Sequence, residues 1–378
     1  MYKYYSEILN TLKINSNYRS LRQSSDDGDL INFSSNDYLG LASNKELKRE
    51  FIENSDFFNL NFSSSSSRLL TGNHKEYQKL ENNLANLYQR EACLVFNSGY
   101  HANVGILPAL CGKNDLILAD KSVHASIIDG LKLCNSETKR YNHKDYEHLI
   151  RLLEKYSKRK EKIFIISESI FSMDGDITDI KRLVEIKNKY NAILYLDEAH
   201  AVGARGNNGL GYAEELSLIS DIDIIVGTFG KALASQGAFA ICNDVIKKYL
   251  INTSRSLIYT TALPPINVAW TNFIINKLPG FSEERKRLKE YTKTFCANLN
   301  IETHESNIIP IILGENDIAI QFAEELQNQG FFVLPIRHPT VPKGTARLRF
   351  SIKADLQNTD IINITNAINN IKQEHNIL

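Results

Sequence analysis

Between about residues 75 and 265, short apolar runs alternate with segments whose apolar residues recur at helical spacing, and no other feature constrains the fold as tightly. The runs include Leu94 to Phe96, Leu116 to Leu118, Ile163 to Ile166, Ile193 to Leu196 and Ile222 to Val226. A strand covered on both faces reads as a continuous apolar run, and helices between such strands supply the covers. The expected fold class is therefore α/β, with a mostly parallel central sheet flanked by helices. Segment 74–90 shows the helical pattern plainly, because Tyr77, Leu80, Leu84, Leu87 and Tyr88 share one face and Lys and Glu take the others.

Prolines mark a change of organisation. None of the 8 falls between Pro108 and Pro264, whereas Pro264, Pro265 and Pro279 follow closely, which puts a boundary near 265 to 285. Beyond it amphipathic helices alternate with short strands, and Pro335, Pro339 and Pro342 form a loop before the strand-like RLRFSI at 347–352. The expected division is an amino-terminal arm over 1–45, a large domain over 46–270 and a smaller α+β domain over 271–378. Within the arm, Tyr4, Tyr5, Ile8 and Leu12 predict a helix over 2–14, followed by a polar loop through Asp29.

Charge and cysteine usage exclude several function classes. With 44 Lys+Arg against 44 Asp+Glu, no basic surplus favours nucleic acid or an anionic membrane as partner. Small molecules and protein surfaces remain. The 5 cysteines are widely spaced and form no CxxC, so neither a disulfide framework nor a zinc knuckle is expected, and no metal site is proposed. No run approaches the roughly 18 apolar residues of a membrane span, and residues 1–14 lack the apolar core of a signal peptide, so a cytoplasmic protein is expected.

Chemistry concentrates in AILYLDEAHAVG, residues 192–203, where an apolar strand ends at Asp197 and His200 follows. Open α/β sheets place ligands at such carboxyl ends. The letters DEAH also suit the Mg-binding strand of an ATPase, but that reading needs a phosphate loop GxxxxGK[ST] upstream. The nearest mimic, GTFGKA at 227–232, is short, lies downstream and follows Lys231 with Ala. The other reading joins Asp197 to Lys231. A pyridoxal 5'-phosphate enzyme needs a lysine to hold the cofactor covalently and a buried carboxylate to keep the pyridine nitrogen protonated. Gly227, Gly230, Ala232 and Ala234 leave room for a planar group beside Lys231.

The blocks NFSSNDYLGL (32–41), SRLLTGNHKEYQKLE (67–81), FNSGYHAN (96–103), DKSVHASIIDG (120–130), ESIFSMDGD (168–176), DEAHAVG (197–203), TFGKAL (228–233), IYTTALPP (258–265) and TVPKGTARLRFSI (340–352) resemble, in order, those of the α-oxoamine synthase family. These are fold-type I pyridoxal phosphate transferases, and the resemblance covers nearly the whole chain. It implies that Lys231 carries the cofactor, Asp197 pairs with its ring nitrogen, His200 hydrogen-bonds its phenolic oxygen and His124 stacks on its ring. It further implies that Ser98, Gly99, Tyr100 and Thr228 hold the phosphate, with Ser172 near the phenolic oxygen or phosphate arm. Ser98 to Tyr100 lie between a strand and a helix, where unpaired N–H groups and the helix dipole favour an anion.

Thr260 and Thr261 resemble a phosphate contact supplied by the partner subunit, which implies a homodimer with shared active sites. Arg349 is implied to grip an amino acid carboxylate. Arg347, two positions earlier on the same strand, faces the same way. Asn36 is a second carboxylate contact, and Arg19 or Arg22 approaches the acyl substrate. The implied reaction is a decarboxylative condensation of L-alanine with a pimeloyl thioester, on CoA or an acyl carrier protein, giving 8-amino-7-oxononanoate for biotin biosynthesis. The same blocks accommodate glycine with acetyl-CoA, as in glycine C-acetyltransferase. One departure stands out: Ser63 to Ser67 occupy positions where the family usually has glycines. Serine loses easy access to positive φ there.

Overall fold

The computed structural model describes residues 1–21, 30–302 and 304–375 of the 378. The chain forms two compact units. One comprises Asp37–Phe171 and Ile177–Lys286, the other Met1–Asn36, Ser172–Asp176 and Arg287–Leu378.

The larger unit is built on a seven-stranded sheet. Its strands run in the order Ala92–Phe96, Ala238–Cys242, Ile224–Thr228, Ile193–Asp197, Ile163–Glu168, Leu116–Asp120 and Glu137–Tyr141. Ala238–Cys242 is antiparallel to both neighbours and every other pairing is parallel. The inner strands are buried along nearly all of their length, which is why they read as apolar runs. One strand escapes that rule: Glu137–Tyr141 is an edge strand of sequence ETKRY whose side chains are mostly part-exposed.

Helices Gly99–Leu110 and Ala125–Leu133 pack on this sheet, placing Ile106, Ile127 and Leu131 against Phe164, Ile166 and Tyr195. Each fully buried side chain of this size contributes roughly 1.5–3 kcal/mol. The predicted helix at 74–90 runs Lys75–Leu87, burying Tyr77, Leu80 and Leu84.

The other unit holds a three-stranded antiparallel sheet in the order Pro335–Ile336, Ala346–Ser351, Ile308–Gly314. Helices Asn316–Asn328 and Asn358–Glu374 contribute Phe322, Leu326, Ile364 and Ile368 to its core. Ile31–Asn32 pairs in parallel with Phe331–Phe332, and the following Phe33 packs edge-on against Phe331 and Phe350. The short segment Ser172–Asp176 is tied in by Gly175, whose φ is +71° and where an added Cβ would lie 2.0 Å from the Ile308 carbonyl oxygen. Helix Tyr2–Ile14 forms as the spacing predicts and buries none of its residues.

Candidate active site

Strands Ile163–Glu168 and Ile193–Asp197 end level, with Glu168 and Asp197 paired in register, so two carboxyl side chains share one face at the carboxyl end of the sheet. Asp197 is buried. Its Oδ1 accepts the Ala199 N–H at 2.9 Å and its Oδ2 accepts the Asn103 Nδ2 at 2.9 Å. Glu168 accepts the His124 main-chain N–H. Burial, reinforced by the Asp197 charge, pushes the Glu168 pKa well above the usual carboxylate range. Asp197, with two N–H donors aimed at its oxygens, is the acid placed to pair with a cation.

The loop after Asp197 turns back at Gly203, where φ is +86° and an added Cβ would sit 2.5 Å from the Ala232 Cβ. This close approach brings His200 to Lys231, with Lys231 Nζ 2.8 Å from His200 Nε2. The other ring nitrogen, Nδ1, lies 2.6 Å from the Tyr38 hydroxyl. Lys231 itself sits in the connection between the antiparallel strands Ile224–Thr228 and Ala238–Cys242. No helix follows it there, as a nucleotide phosphate loop requires, so the ATPase alternative has no structural footing.

His124 is the N-cap of helix Ala125–Leu133, and its Nδ1 lies 2.8 Å from Ser126 Oγ. Burial lowers its pKa, with the Asp197 charge opposing. Ser98 caps helix Gly99–Leu110, accepting the His101 N–H on Oγ at 3.1 Å. The N–H groups of Gly99 and Tyr100 fall in the first turn, where the helix offers no acceptor. Thr228 borders this turn, since a Cβ added to Gly99 would meet the Thr228 Cβ at 3.9 Å. The Thr228 hydroxyl donates to the Gly237 carbonyl at 3.0 Å. Thr260 and Thr261 lie beside the turn in the same chain, with Asn97 Nδ2 donating to the Thr261 carbonyl at 2.6 Å and to Thr260 Oγ1 at 3.4 Å. The Tyr100 side chain turns outward, its hydroxyl donating to Asp129 Oδ2 at 2.8 Å.

The remaining expected site residues belong to the other unit. Arg347 and Arg349 are both buried on strand Ala346–Ser351. Arg347 forms an ion pair with Asp174 through Nη1 and donates from Nε to the Thr345 carbonyl at 3.1 Å. Arg349 donates from Nε to the Ser172 carbonyl at 2.5 Å and from Nη1 to Ser351 Oγ at 2.9 Å. Ser172 thus meets Arg349 through its main chain. Arg19 donates to Thr340 Oγ1 at 2.9 Å and lines a cavity of about 760 Å³ together with Lys13 and Arg337. Asn36 is half-buried and ends the amino-terminal segment of this unit. Arg22 lies outside the described residues.

Sequence reasoning passed over Tyr38, Asn103, Ser126, Glu168 and Tyr195. All five stand inside segments already singled out, and spacing points to two of them. Tyr195 precedes Asp197 by two on one strand and so shares its face. Asn103 lies about one helical turn beyond Gly99. Among the described residues no group of His, Cys, Asp and Glu could hold a metal ion. Among them also, no helix is long and apolar enough to cross a membrane.

Known proteins resemble this chain in sequence and fold. The family Aminotransferase class I and II matches residues 28–368. A protein of Glaesserella parasuis serovar 5 named "Putative 8-amino-7-oxononanoate synthase" is 52% identical over 345 residues, covering 90% of each chain. Among solved structures, 8-amino-7-oxononanoate synthase from Francisella tularensis matches with a TM-score of 0.76 at 31% identity, covering 92% of this chain and 98% of that one. A serine palmitoyltransferase variant from S. paucimobilis, with a bound PLP–myriocin aldimine, matches with a TM-score of 0.87 at 29% identity, covering 92% and 89%. The chain belongs to the aminotransferase class I and II family and, within it, to the α-oxoamine synthases, the fold-type I pyridoxal phosphate enzymes that its sequence blocks resemble.

Proposed function

We propose that this chain is a pyridoxal 5'-phosphate-dependent acyltransferase that condenses L-alanine with a pimeloyl thioester, releasing carbon dioxide and forming 8-amino-7-oxononanoate for biotin biosynthesis. The observation that carries the reading is the convergence of Lys231, His200 and the buried Asp197 at the carboxyl end of the sheet. This donor set fits the cofactor chemically: an amine for the aldehyde, a buried carboxylate for the ring nitrogen, and a glycine-bearing helix start for the phosphate. When bound, pyridoxal phosphate supplies an electron sink for the pair left on the amino acid's α-carbon.

The chain's own residues do the rest. Lys231 would hold the cofactor covalently and serve as the base that takes the amino acid's α-proton on Nζ. Asp197 keeps the ring nitrogen protonated. His200, fixed by Tyr38, hydrogen-bonds the phenolic oxygen and polarises the keto oxygen as carbon dioxide leaves. His124 covers the ring face. Ser98, Gly99, Tyr100 and Thr228 hold the phosphate, Tyr100 through its main-chain N–H. Thr260 and Thr261 add a phosphate contact across a homodimer interface, and Ser172 contacts the cofactor. Arg349 takes the amino acid carboxylate, with Asn36 assisting, because Asp174 already neutralises Arg347. Arg19 approaches the acyl chain.

The test is product analysis by mass spectrometry with L-alanine or glycine and with pimeloyl-CoA, pimeloyl carrier protein or acetyl-CoA. Formation of 8-amino-7-oxononanoate that disappears in Lys231→Ala is expected. Product from glycine and acetyl-CoA alone would replace this reading with glycine C-acetyltransferase.

A further inference from the structure

Behind Asp197 lies a chain of hydrogen bonds that none of the functional assignments above explains. Asn103 and Tyr195 are both fully enclosed, at 1% and 0% exposure. The Tyr195 hydroxyl donates to Asn103 Oδ1. Burial, with the Asp197 charge added, pushes the Tyr195 pKa well above 10, so this phenol remains a donor. With Oδ1 thus engaged, the amide has one orientation. Its Nδ2 donates to Asp197 Oδ2 at 2.9 Å and to Ser126 Oγ at 2.9 Å. Rotating the amide by half a turn would set its carbonyl oxygen against a carboxylate and its NH₂ against a hydroxyl proton, both repulsive. Ser126 Oγ in turn lies 2.8 Å from His124 Nδ1. One amide therefore joins the carboxylate and the imidazole that flank the site.

We infer that Asn103, oriented by Tyr195, is a positioning residue that fixes the Asp197 carboxylate and, through Ser126, the His124 ring, and thereby sets how firmly the cofactor's ring nitrogen keeps its proton. The inference rests on the proposed cofactor chemistry. A hydrogen bond to a buried carboxylate stabilises its charged form. Without the amide, the Asp197 carboxylate would lose one of the donors that hold its charge opposite the ring nitrogen.

The mildest test is Tyr195→Phe, which keeps shape and removes one hydroxyl; Asn103→Leu removes the amide outright. Two readouts are needed besides turnover. The first is pyridoxal phosphate affinity of the cofactor-stripped protein, followed by fluorescence of its single tryptophan. The second is the pH midpoint of the cofactor's absorbance band. Tyr195→Phe is expected to weaken cofactor binding severalfold and Asn103→Leu by about tenfold. In both, the pH midpoint should rise while the far-UV spectrum stays as in wild type. Ser126→Ala keeps the Asp197 bond and should leave the midpoint in place. An unmoved midpoint and affinity in Tyr195→Phe would overturn the inference, even where Asn103→Leu fails to fold. So would a midpoint shift in Ser126→Ala equal to that in Tyr195→Phe. Failure of the wild-type protein itself to bind pyridoxal phosphate would instead sink the functional reading.

Discussion

Lys231 Nζ lies 2.8 Å from His200 Nε2, and the far side of the same imidazole is held 2.6 Å from the Tyr38 hydroxyl. An ammonium only donates, so with Lys231 charged the imidazole must accept on Nε2 and carry its proton on Nδ1, where the Tyr38 oxygen accepts it. The lysine's charge thus selects the tautomer, and the tyrosine oxygen holds the Nδ1 proton in place. A histidine so fixed presents a defined lone pair or proton to whatever replaces the lysine beside it.

Tyr38→Phe removes that holding contact without removing the ring. The expected result is a fall in kcat of the order of tenfold, the usual scale for losing a partner that orients a reacting imidazole. KM for both substrates should stay within about twofold, since no substrate contact is lost. Steady-state kinetics on the variant decide it, and an unchanged kcat would remove Tyr38 from the machinery.

Gly203 holds the His200 loop against the Lys231 loop. Alanine there meets two obstacles: a φ of +86° and a Cβ placed 2.5 Å from the Ala232 Cβ. The strain at positive φ costs about 1 kcal/mol, and the overlap adds about as much or more. Gly203→Ala should therefore lose at least about 2 kcal/mol in urea unfolding. Adding Ala232→Gly should recover the overlap and leave the φ strain. Full recovery in the double variant would show that the backbone conformation costs nothing.

How far the sequence discloses such features follows from the physics of each. Strands such as Leu116–Asp120 and Ile163–Glu168 are legible because burial on both faces demands apolar side chains throughout. Glu137–Tyr141 is illegible by that rule, since one of its edges faces solvent and tolerates Glu, Lys and Arg. The pairing of Ile31 with Phe331 joins residues far apart in sequence, and no local pattern announces it. Lys231, Asp197 and His200 stand out because reactive residues at a strand end break the apolar pattern. Asn103 and Tyr195 do not stand out: an enclosed amide in a helix and a tyrosine in a strand look like packing until their partners are known. The pairing of Arg347 with Asp174 was hidden for the same reason, being a contact between distant segments.

That ion pair is unequal, and the inequality makes a prediction. The Arg347 side chain is 5% exposed and the Asp174 side chain 46%. Removing the aspartate strands a guanidinium away from water, whereas removing the arginine leaves a carboxylate that water can solvate. Asp174→Ala should cost about 2 kcal/mol, below the ~3–5 kcal/mol of a fully enclosed pair because solvent already screens one member. Arg347→Met should cost less than about 1 kcal/mol. Urea unfolding of the two variants settles the order, and a larger loss for Arg347→Met would mean the guanidinium supports more than this pair.

Glu198, next to Asp197, gives the protein a pH dependence of its own. It is fully enclosed, and burial raises its pKa to about 7 even though the N–H groups of Tyr212 and Ala213 and the Ser169 hydroxyl all donate to it. Between about pH 4.5 and 7 the folded protein therefore holds a proton that the unfolded chain has released. Stability attributable to this group falls as pH rises through that window and is lowest above 7. Glu198→Gln cannot ionise. The advantage of wild type over the variant should thus be greatest near pH 5 and shrink by up to ~3 kcal/mol at pH 8. Unfolding curves for both proteins at pH 5, 6, 7 and 8 measure it. A difference that stays constant, or grows with pH, would mean that the three donors hold Glu198 ionised in the native state and that burial does not dominate.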